Sequence, residues 1–378
     1  MKRVLLCANT DWYLYNFRLA LARYLRQQGL EVLLVSPSGA YVAALQAEGF
    51  QWIDWDVGRK SMLPWQELPV LLKLAGIYRR LQPDLVHHHT IKPVLYGSLA
   101  ARLAGIPRIV NSITGRGYIF LGEERRAKIL RLLVSPVYRL ALSPRHSLAS
   151  AVIFENHTDR DYFIQHRLVP AAQTRLIEGV GVDPERYQAF AEPPGPPVVV
   201  LAARMLWDKG VGVFVEAARL LKEDHPQARF ILTGIPDPGN PSSIPEQVLQ
   251  SWHQEGVVEW WGWQANMPAV YRQCHIVTLP TVYGEGVPTT LLEAAACARP
   301  LVTSDTPGCD QVVAEGVNGF RVPPNDPAAL ARALERLLVD PGLRGRMGQA
   351  SRELVLQKFT YEQINRATFA VYQEVKSS

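Results

Sequence analysis

The sequence predicts an α/β protein with two parallel sheets, each covered by helices on both faces. Short apolar runs rich in Val, Ile and Leu alternate with helical patterns along the whole chain, a pattern typical of parallel sheets buried on both sides. The 378 residues exceed one typical domain, so two domains of about 180 residues are expected. Two Rossmann-like domains would meet at a cleft that faces the carboxyl ends of their strands.

The proline-rich segment 192–197 interrupts the pattern and separates two series of strands. We predict a first domain over residues 1–190 and a second over 191–360, followed by a helical tail over 361–375. The strands are expected at residues 3–8, 31–36, 84–87, 108–111 and 151–155 in the first series, and at 197–202, 228–233, 257–261, 275–279 and 301–303 in the second.

Composition and charge indicate an ordinary globular protein whose first half favours an anionic partner. The chain is 48% apolar and 20% charged, and its four cysteines have no CxxC spacing. No apolar run reaches 18 residues and the N-terminus lacks a signal-peptide pattern, so we expect a cytoplasmic protein. Residues 1–190 hold 24 Lys and Arg against 15 Asp and Glu, and residues 191–378 hold 16 against 20. The excess of positive charge therefore lies in the first half.

The segment 280–294 is the most informative for function. It predicts a strand end, a loop flanked by glycines, and a helix whose first residue is Pro288. Glu293 would lie roughly 7–8 Å along the axis from the helix start, where free N–H groups and a partial positive charge favour a phosphate. This geometry predicts a diphosphate at the helix tip, a ribose at Glu293 and a second hydroxylated group at Glu285. The alternative is a surface loop that leads into an ordinary amphipathic helix.

This segment resembles the glutamate–seven residues–glutamate motif of retaining glycosyltransferases of family 4. The likeness continues to residue 324, through 295–300, 304–309 and 318–320. It implies the GT-B architecture, with the terminal helix 361–378 packed back onto the first domain. It also implies that Glu293 binds the ribose of the nucleotide and that Glu285 approaches the transferred sugar. The donor site would include residues of the loop and helix start, namely Gly286, Val287 and Thr289.

Two cations follow the first strand of the second domain. Arg204 offers a planar fork and Lys209 a mobile point charge, and both suit a diphosphate. The resemblance implies that they hold the diphosphate of the nucleotide; taken alone, they are as consistent with solvated surface charges. Trp263, at the end of a later strand, is a candidate contact for the nucleobase, although the tryptophans near it also suit core packing.

Three consecutive histidines end the strand expected at 84–87. Neighbouring residues of a strand point to opposite faces, so His87 and His89 share one side and His88 points away, which makes a metal site improbable. The family places a histidine beside the reacting sugar at the second position of such a pair, here His89. Lys92 lies where it would meet a phosphate of the acceptor.

Two short motifs and a basic region point to the acceptor. His89–Pro93 and Thr114–Tyr118 resemble a subgroup that extends undecaprenyl-diphosphate-linked sugars with an N-acetylhexosamine, which implies acceptor contacts by Thr90, Lys92, Arg116 and Tyr118. Residues 115–147 carry seven Lys and Arg against two Glu, interleaved with apolar residues. Such a region suits an anionic membrane surface, although a helix packed by one face on its own domain has the same pattern.

These observations predict a retaining, metal-independent glycosyltransferase that acts peripherally on the inner face of the cell membrane. It would transfer a hexose or N-acetylhexosamine from a UDP-sugar to a polyprenyl-diphosphate-linked saccharide, as in surface polysaccharide or glycan assembly. No cofactor, metal or nucleic-acid partner is expected. A nucleotide-sugar epimerase of the same architecture and a non-catalytic nucleotide-sugar-binding membrane scaffold are the alternatives.

Overall fold

The computed structural model describes residues 1–57, 64–116, 120, 125–143 and 149–377. They form two sheets in which every pairing between named strands is parallel. The first sheet has the order β3-β2-β1-β4-β5-β6-β7 and the second the order β10-β9-β8-β11-β12-β13. The strands are β1 (Arg3–Cys7), β2 (Glu31–Ser36), β3 (Gln51–Asp54), β4 (Leu85–His89), β5 (Arg108–Ile113), β6 (Ala149–Phe154), β7 (Thr174–Leu176), β8 (Val198–Ala202), β9 (Arg229–Thr233), β10 (Glu259–Trp260), β11 (Ile276–Leu279), β12 (Leu301–Ser304) and β13 (Gly319–Val322).

Helices connect most of the successive strands within each sheet, as parallel pairing favours, whereas the described segment 305–318 between β12 and β13 contains no helix. Two five-residue π-helical segments, Leu14–Arg18 and Pro93–Gly97, follow β1 and β4, and 3-10 turns cover Ala171–Gln173 and Trp207–Lys209. The α-helices are α1 (Asp11–Tyr13), α2 (Leu19–Gln27), α3 (Val42–Ala47), α4 (Pro64–Leu81), α5 (Ser98–Ala104), α6 (Arg125–Leu142), α7 (His157–Gln165), α8 (Val211–Asp224), α9 (Glu246–Gln254), α10 (Met267–Arg272), α11 (Thr289–Ala296), α12 (Pro327–Val339), α13 (Pro341–Lys358) and α14 (Tyr361–Ser377).

The sequence does not predict three of the observed strands, and all three lie at a sheet edge. β3 and β7 are the outer strands of the first sheet and β13 is an outer strand of the second. Central strands such as β8 are buried at every residue, which gives the continuous apolar run used for prediction. β3 and β7 alternate or stay half-exposed, so they carry no such run.

The chain divides into one compact unit formed by Met1–Val180 with Tyr361–Ser378 and another formed by Gly181–Thr360. The first division falls before the predicted limit at residue 190, because side chains of the second unit hold both the proline-rich connection and the residues just before it. Arg352 donates to the carbonyls of Tyr187 (2.6 Å) and Pro184 (3.2 Å). Further contacts join Arg299 to the Ala191 carbonyl, Arg344 to the Glu192 carboxylate and His275 to the Pro193 carbonyl.

The helix α14 belongs to the first unit. It packs on α2 and on the sheet through β5 and β6. Its apolar face recurs every three or four residues, and Ile364, Val371, Tyr372 and Val375 are buried in the core that also holds β1. The last helix of the chain therefore completes the core that the first strand begins.

We predict that Arg344→Ala destabilises the second unit by about 2–4 kcal/mol, because it removes an ion pair and leaves buried carbonyls without a donor. Arg344 is 7% exposed and donates to the carbonyls of Leu337 (2.7 Å) and Leu338 (3.1 Å). The free energy of unfolding in urea measures the effect. Arg346→Ala, an exposed position on the same helix, is the control and should change it by less than about 0.5 kcal/mol; equal losses in both variants would contradict the prediction.

Candidate active-site residues in each unit

Three loops of the second unit pack backbone against backbone at the carboxyl ends of their strands. Gly210 follows β8 with φ of +72°, and a Cβ there would lie 1.8 Å from the Pro280 carbonyl oxygen after β11. Gly308 follows β12 with φ of +87°, and its Cβ would lie 1.6 Å from the Gly286 carbonyl oxygen. Only glycine fits such approaches, so the two glycines fix the loop 280–288 between its neighbours.

This packing brings the predicted residues Lys209 and Glu285 together. The Lys209 Nζ lies 2.5 Å from the Glu285 Oε1, and Thr281 Oγ1 donates to the same oxygen at 3.0 Å. The Glu285 N–H donates to the Pro307 carbonyl at 2.9 Å, which ties the glutamate to the loop after β12. Both charged side chains are about one-fifth exposed (19% and 21%). A partly buried carboxylate thus holds a lysine at the surface of the unit.

The helix after this loop begins one residue later than predicted. Pro288 is the N-cap, with ψ of 117°, and α11 starts at Thr289. The expected first helical position for the proline is therefore wrong, because its extended ψ precedes the helix. Leu291 and Leu292 both donate to the Pro288 carbonyl, while the N–H groups of Gly286, Val287, Thr289 and Thr290 have no acceptor among the described residues. The predicted donors of the helix tip are thus available to an anion.

Glu293 lies one turn into α11, about 6 Å along the axis from Thr289. Its carboxylate accepts from the Tyr271 hydroxyl at 3.1 Å and forms a further hydrogen bond with Tyr187. Burial raises the pKa of Glu293, and the tyrosine hydroxyls oppose this rise. The two tyrosines are not part of the sequence prediction, since no local pattern joins residues 187, 271 and 293.

Arg204 and Trp263 lie on the surface of the same unit. The Arg204 guanidinium is paired with Asp237 at 2.7 Å and its side chain is 56% exposed. Such an exposed pair contributes little to stability, so the guanidinium can exchange Asp237 for an anionic ligand at small cost. Trp263 is 58% exposed and follows β10, whereas the neighbouring Trp260 donates to the Gly234 carbonyl.

In the first unit, His87 and His89 lie on one side of β4 and His88 on the other, as predicted. The ring centroids of His87 and His89 are 3.9 Å apart, while His88 contacts the hydroxyl of Tyr78 and the amide oxygen of Asn111. All three histidines are buried. Among the described residues, no three His, Cys, Asp or Glu side chains are grouped to hold a metal ion.

Neither ring nitrogen of His89 has a hydrogen-bond partner in the part of the chain that the structure describes, although the side chain is fully buried. Burial lowers the pKa of His89 well below its usual value, and the neighbouring His87, Arg18 and His88 groups disfavour a positive charge on it further. The imidazole is therefore neutral at pH 7, with one donor and one acceptor unused. Buried polar atoms without partners are uncommon and indicate a missing ligand or water.

Among the other residues predicted to contact the acceptor substrate, Thr90 has a strained backbone, and Lys92 and Arg116 form ion pairs within the first unit. Thr90 has φ of +71°, which is unusual for a β-branched residue and typical of functional sites; its buried hydroxyl has no described partner. Lys92 is paired with Glu67 at 3.0 Å and Arg116 with Asp159 at 2.7 Å. Tyr118 lies outside the described residues.

A buried ion pair near His89 is absent from the sequence prediction. Arg18 and Glu155 approach to 3.6 Å, and each side chain is 8% exposed. Arg18 also donates to the Tyr13 hydroxyl at 2.7 Å. The pair joins the segment after β1 to the residue after β6. Arg18 and Glu155 are 137 positions apart in the sequence, so no local pattern predicts their contact. The only signal in the sequence was that each residue lies after a strand.

The exposed face of α6 combines apolar and basic side chains. Ile129, Leu132, Leu133 and Leu140 are each at least half exposed and share one face at 100° per residue. Arg125 and Lys128 lie on or beside this face and are exposed, whereas Tyr138 on the opposite face is buried. In the described residues no helix is both long and apolar enough to cross a bilayer.

Models of two glycosyltransferase families match the chain in succession. Residues 3–154 match the glycosyl transferase 4-like model and residues 196–340 match the model of glycosyl transferases group 1. Together the two models cover most of the chain, which therefore belongs to the glycosyltransferases that combine a 4-like domain with a group 1 domain. The first model covers the sheet that carries His89, and the second covers the loops that hold Lys209, Glu285 and Glu293.

Similar proteins agree with this assignment over the full length of the chain. An N,N'-diacetylbacillosaminyl-diphospho-undecaprenol alpha-1,3-N-acetylgalactosaminyltransferase from Campylobacter jejuni is 28% identical, with 91% of each chain covered. A UDP-Gal:alpha-D-GlcNAc-diphosphoundecaprenol alpha-1,3-galactosyltransferase from Escherichia coli is 24% identical over 73% of this chain and 71% of its own. Anabaena HepE, solved in complex with UDP and glucose, matches with a TM-score of 0.79 at 20% identity, covering 99% of this chain and 100% of its own. The predicted GT-B fold class is confirmed.

We predict that Glu293→Gln stabilises the second unit while it weakens UDP binding. A carboxyl whose pKa is raised in the folded state binds more protons than in the unfolded state, so stability falls as pH rises above about 4.3, the unfolded value. The gain from glutamine should therefore be present at pH 8 and absent at pH 4. If Glu293 accepts hydrogen bonds from the ribose hydroxyls, as the resemblance implies, the loss of its charge should weaken UDP binding about tenfold or more.

Urea unfolding from pH 4 to pH 8 and calorimetric titration with UDP measure the two effects. Glu223→Gln, at an exposed position of α8, is the control and should change neither. A variant that binds UDP as tightly as the wild type would show that Glu293 does not contact the nucleotide.

Proposed function

We propose that the chain is a retaining glycosyltransferase that moves a hexose or N-acetylhexosamine from a UDP-sugar to a polyprenyl-diphosphate-linked saccharide. The observation that carries the proposal is the contact between Lys209 and Glu285 beside a helix start with free N–H groups. It is supported by the undecaprenol-linked substrates named for two relatives and by the UDP bound to a structural neighbour. In these relatives the lipid-linked sugar is extended, which is the chemistry of surface polysaccharide assembly.

Departure of UDP places negative charge on the β-phosphate, and fixed positive charge is what the transition state requires. We assign this task to Lys209, Arg204 and the N–H groups of Gly286, Val287 and Thr289. Lys209 is already desolvated in part and held by Glu285, so it needs little rearrangement to meet a phosphate. Because these groups neutralise the diphosphate, the proposed reaction requires neither a metal ion nor a cofactor.

The hydrogen bonds of Glu285 favour an electrostatic role over covalent attack. Lys209 and Thr281 both contact its Oε1, and an oxygen engaged in two such contacts is a weaker nucleophile. In the proposed mechanism the glutamate orients the sugar and supports the positive charge on its ring. The acceptor hydroxyl then attacks from the face that UDP leaves and gives its proton to the departing diphosphate, which retains the anomeric configuration.

The first unit would bind the acceptor. We assign a sugar contact to the unused nitrogens of His89 and contacts with the acceptor diphosphate to Lys92, Thr90 and Arg116. The Lys92–Glu67 and Arg116–Asp159 pairs are 17% exposed or less on every side chain, so their carboxylates hold each cation in place before the phosphate arrives. The excess of Lys and Arg in the first half agrees with an anionic acceptor.

We further propose that the exposed face of α6 lies on an anionic membrane, where the lipid-linked acceptor resides, on the cytoplasmic side. Ile129, Leu132, Leu133 and Leu140 would enter the interface while Arg125, Lys128 and Arg139 meet lipid headgroups. Each cation near an anionic leaflet contributes about 1 kcal/mol, so three contribute about 3 kcal/mol. Binding of this size is reversible and sensitive to salt.

We predict that Lys209→Ala lowers kcat at least a hundredfold, because removing one preorganised charge from a developing anion costs about 2.7 kcal/mol or more. The assay combines UDP-sugars with a polyprenyl-diphosphate-linked sugar in detergent with EDTA. Lys222→Ala, on α8, is the control and should retain the wild-type rate.

Three outcomes would contradict parts of the proposal. Undiminished turnover by Lys209→Ala removes the site assignment, and an absolute requirement for a divalent metal removes the mechanism. A product with inverted anomeric configuration by NMR removes retention. Release of an epimerised sugar, without transfer to the lipid, would instead favour the epimerase.

We predict that Leu132→Glu with Leu133→Glu abolishes sedimentation with anionic liposomes at low salt, since it places two negative charges where the apolar face would meet lipid. Activity on a short water-soluble acceptor should persist. Leu220→Glu, at a position of α8 that is 52% exposed, is the control. Wild-type protein that fails to sediment with anionic vesicles at low salt would contradict the membrane proposal.

A further inference from the structure

Two adjacent histidines in the first unit use their ring nitrogens in opposite ways. His87 Nδ1 lies 2.6 Å from the Tyr372 hydroxyl and His87 Nε2 lies 2.7 Å from the Ser112 hydroxyl. His89, whose ring centroid is 3.9 Å away, has no described partner at either nitrogen. One ring is therefore held from both ends and the other is free at both.

The hydrogen bonds of His87 lock its ring. Burial and the charges of Arg18 and His88 lower the pKa of His87 well below its usual value, so the imidazole is neutral and has one donor and one acceptor. A hydroxyl can donate to the unprotonated ring nitrogen or accept from the protonated one, so the two hydroxyls together satisfy both nitrogens of His87. A flip of the ring would place carbon where each nitrogen now lies and would lose both hydrogen bonds.

Packing on that locked ring is what orients His89. The two ring planes meet at 47°, and the next aromatic ring, that of Tyr13, is 5.9 Å from His89. With no hydrogen bond of its own to a described residue, the His89 imidazole depends on its neighbours for its direction. His87 is the nearest ring, so a shift of His87 passes directly to His89.

The hydroxyl that fixes His87 comes from the far end of the chain. Tyr372 lies on α14, 285 residues after His87, and is fully buried among the residues that join α14 to the first unit. Its ring meets that of His87 edge to face, with centroids 5.5 Å apart. The final helix therefore supplies a polar contact inside the first unit as well as apolar packing.

We propose that Tyr372 is a positioning residue for sugar transfer. Its hydroxyl fixes the ring of His87, and that ring holds the imidazole of His89, whose two nitrogens form no hydrogen bond with a described residue. The inference rests on the role proposed above for His89. It gives the C-terminal helix a part in the reaction without contact between Tyr372 and the sugar.

Tyr372→Phe tests the inference because it removes only the hydroxyl. We expect kcat to fall ten- to a hundredfold, as for a misplaced catalytic group, while KM for the UDP-sugar changes less than twofold. Tyr138→Phe is the matched control: Tyr138 is equally buried in the first unit, and its hydroxyl has no hydrogen bond with a described residue. Both variants should remain folded in the assay, and Tyr372→Phe should unfold at the lower urea concentration because it leaves a buried ring nitrogen of His87 unpaired.

A double-mutant cycle separates positioning from a structural effect. In the His89→Ala background, the further change Tyr372→Phe should cost less than twofold in kcat, because the group that it positions is gone. An equal loss in both backgrounds, or a Tyr372→Phe enzyme with wild-type kcat, overturns the inference. If His89→Ala alone leaves kcat unchanged, the proposed role of His89 fails instead.

The NMR spectrum of protein labelled with ¹⁵N-histidine decides the question independently of activity. Tyr372→Phe should shift the ring nitrogens of His87 and also move or broaden those of His89, while Tyr138→Phe should leave both unchanged. Unchanged His89 resonances in Tyr372→Phe would overturn the inference even where the double variant turns over too slowly to measure.

Discussion

Close contact between backbones at the carboxyl ends of β8, β11 and β12 is the constraint on which the donor residues depend. Gly210 and Gly308 have positive φ angles and leave no space for a side chain. Because of these contacts, the loop 280–288 has one position relative to its neighbours. Lys209 and Glu285 meet only because that position is fixed, and the same loop delivers the chain to the start of α11 with its N–H groups unused.

In the first unit, burial in the core of the sheet determines how the polar side chains near His89 are arranged. Apolar strands form a sheet whose central strand, β4, ends in three buried histidines. Burial keeps the side chains of His87 and His89 neutral, and surrounding hydroxyls satisfy one of them while the other remains unused. The buried Arg18–Glu155 pair adds charge beside them. A sheet core thus presents hydrogen-bonding groups without a partner in the described part of the chain, which suits recognition of hydroxyl groups.

Much of this protein follows from local patterns in the sequence. The apolar runs of β1, β4, β8 and β12 identify two parallel sheets, and alternation along a strand separates His88 from its neighbours. The spacing of Glu285 and Glu293 around a glycine-flanked loop identifies the donor segment. The start of α11 was predicted one residue too early, at Pro288, because an N-cap residue and a first helical residue differ only in the backbone angle ψ. The edge strands β3 and β7 were missed because they are partly exposed and lack the continuous apolar run of a central strand.

The sequence by itself determined the fold class, the family and the segments that carry chemistry, since each depends on residues close together in the chain. Tertiary structure alone decided the partners: Tyr271 and Tyr187 at Glu293, Glu155 at Arg18, Asp159 at Arg116 and Tyr372 at His87. These pairs join residues that are 22 to 285 positions apart in the sequence. Local spacing cannot encode such contacts, because they exist only after the strands have paired and the last helix has packed on the first unit.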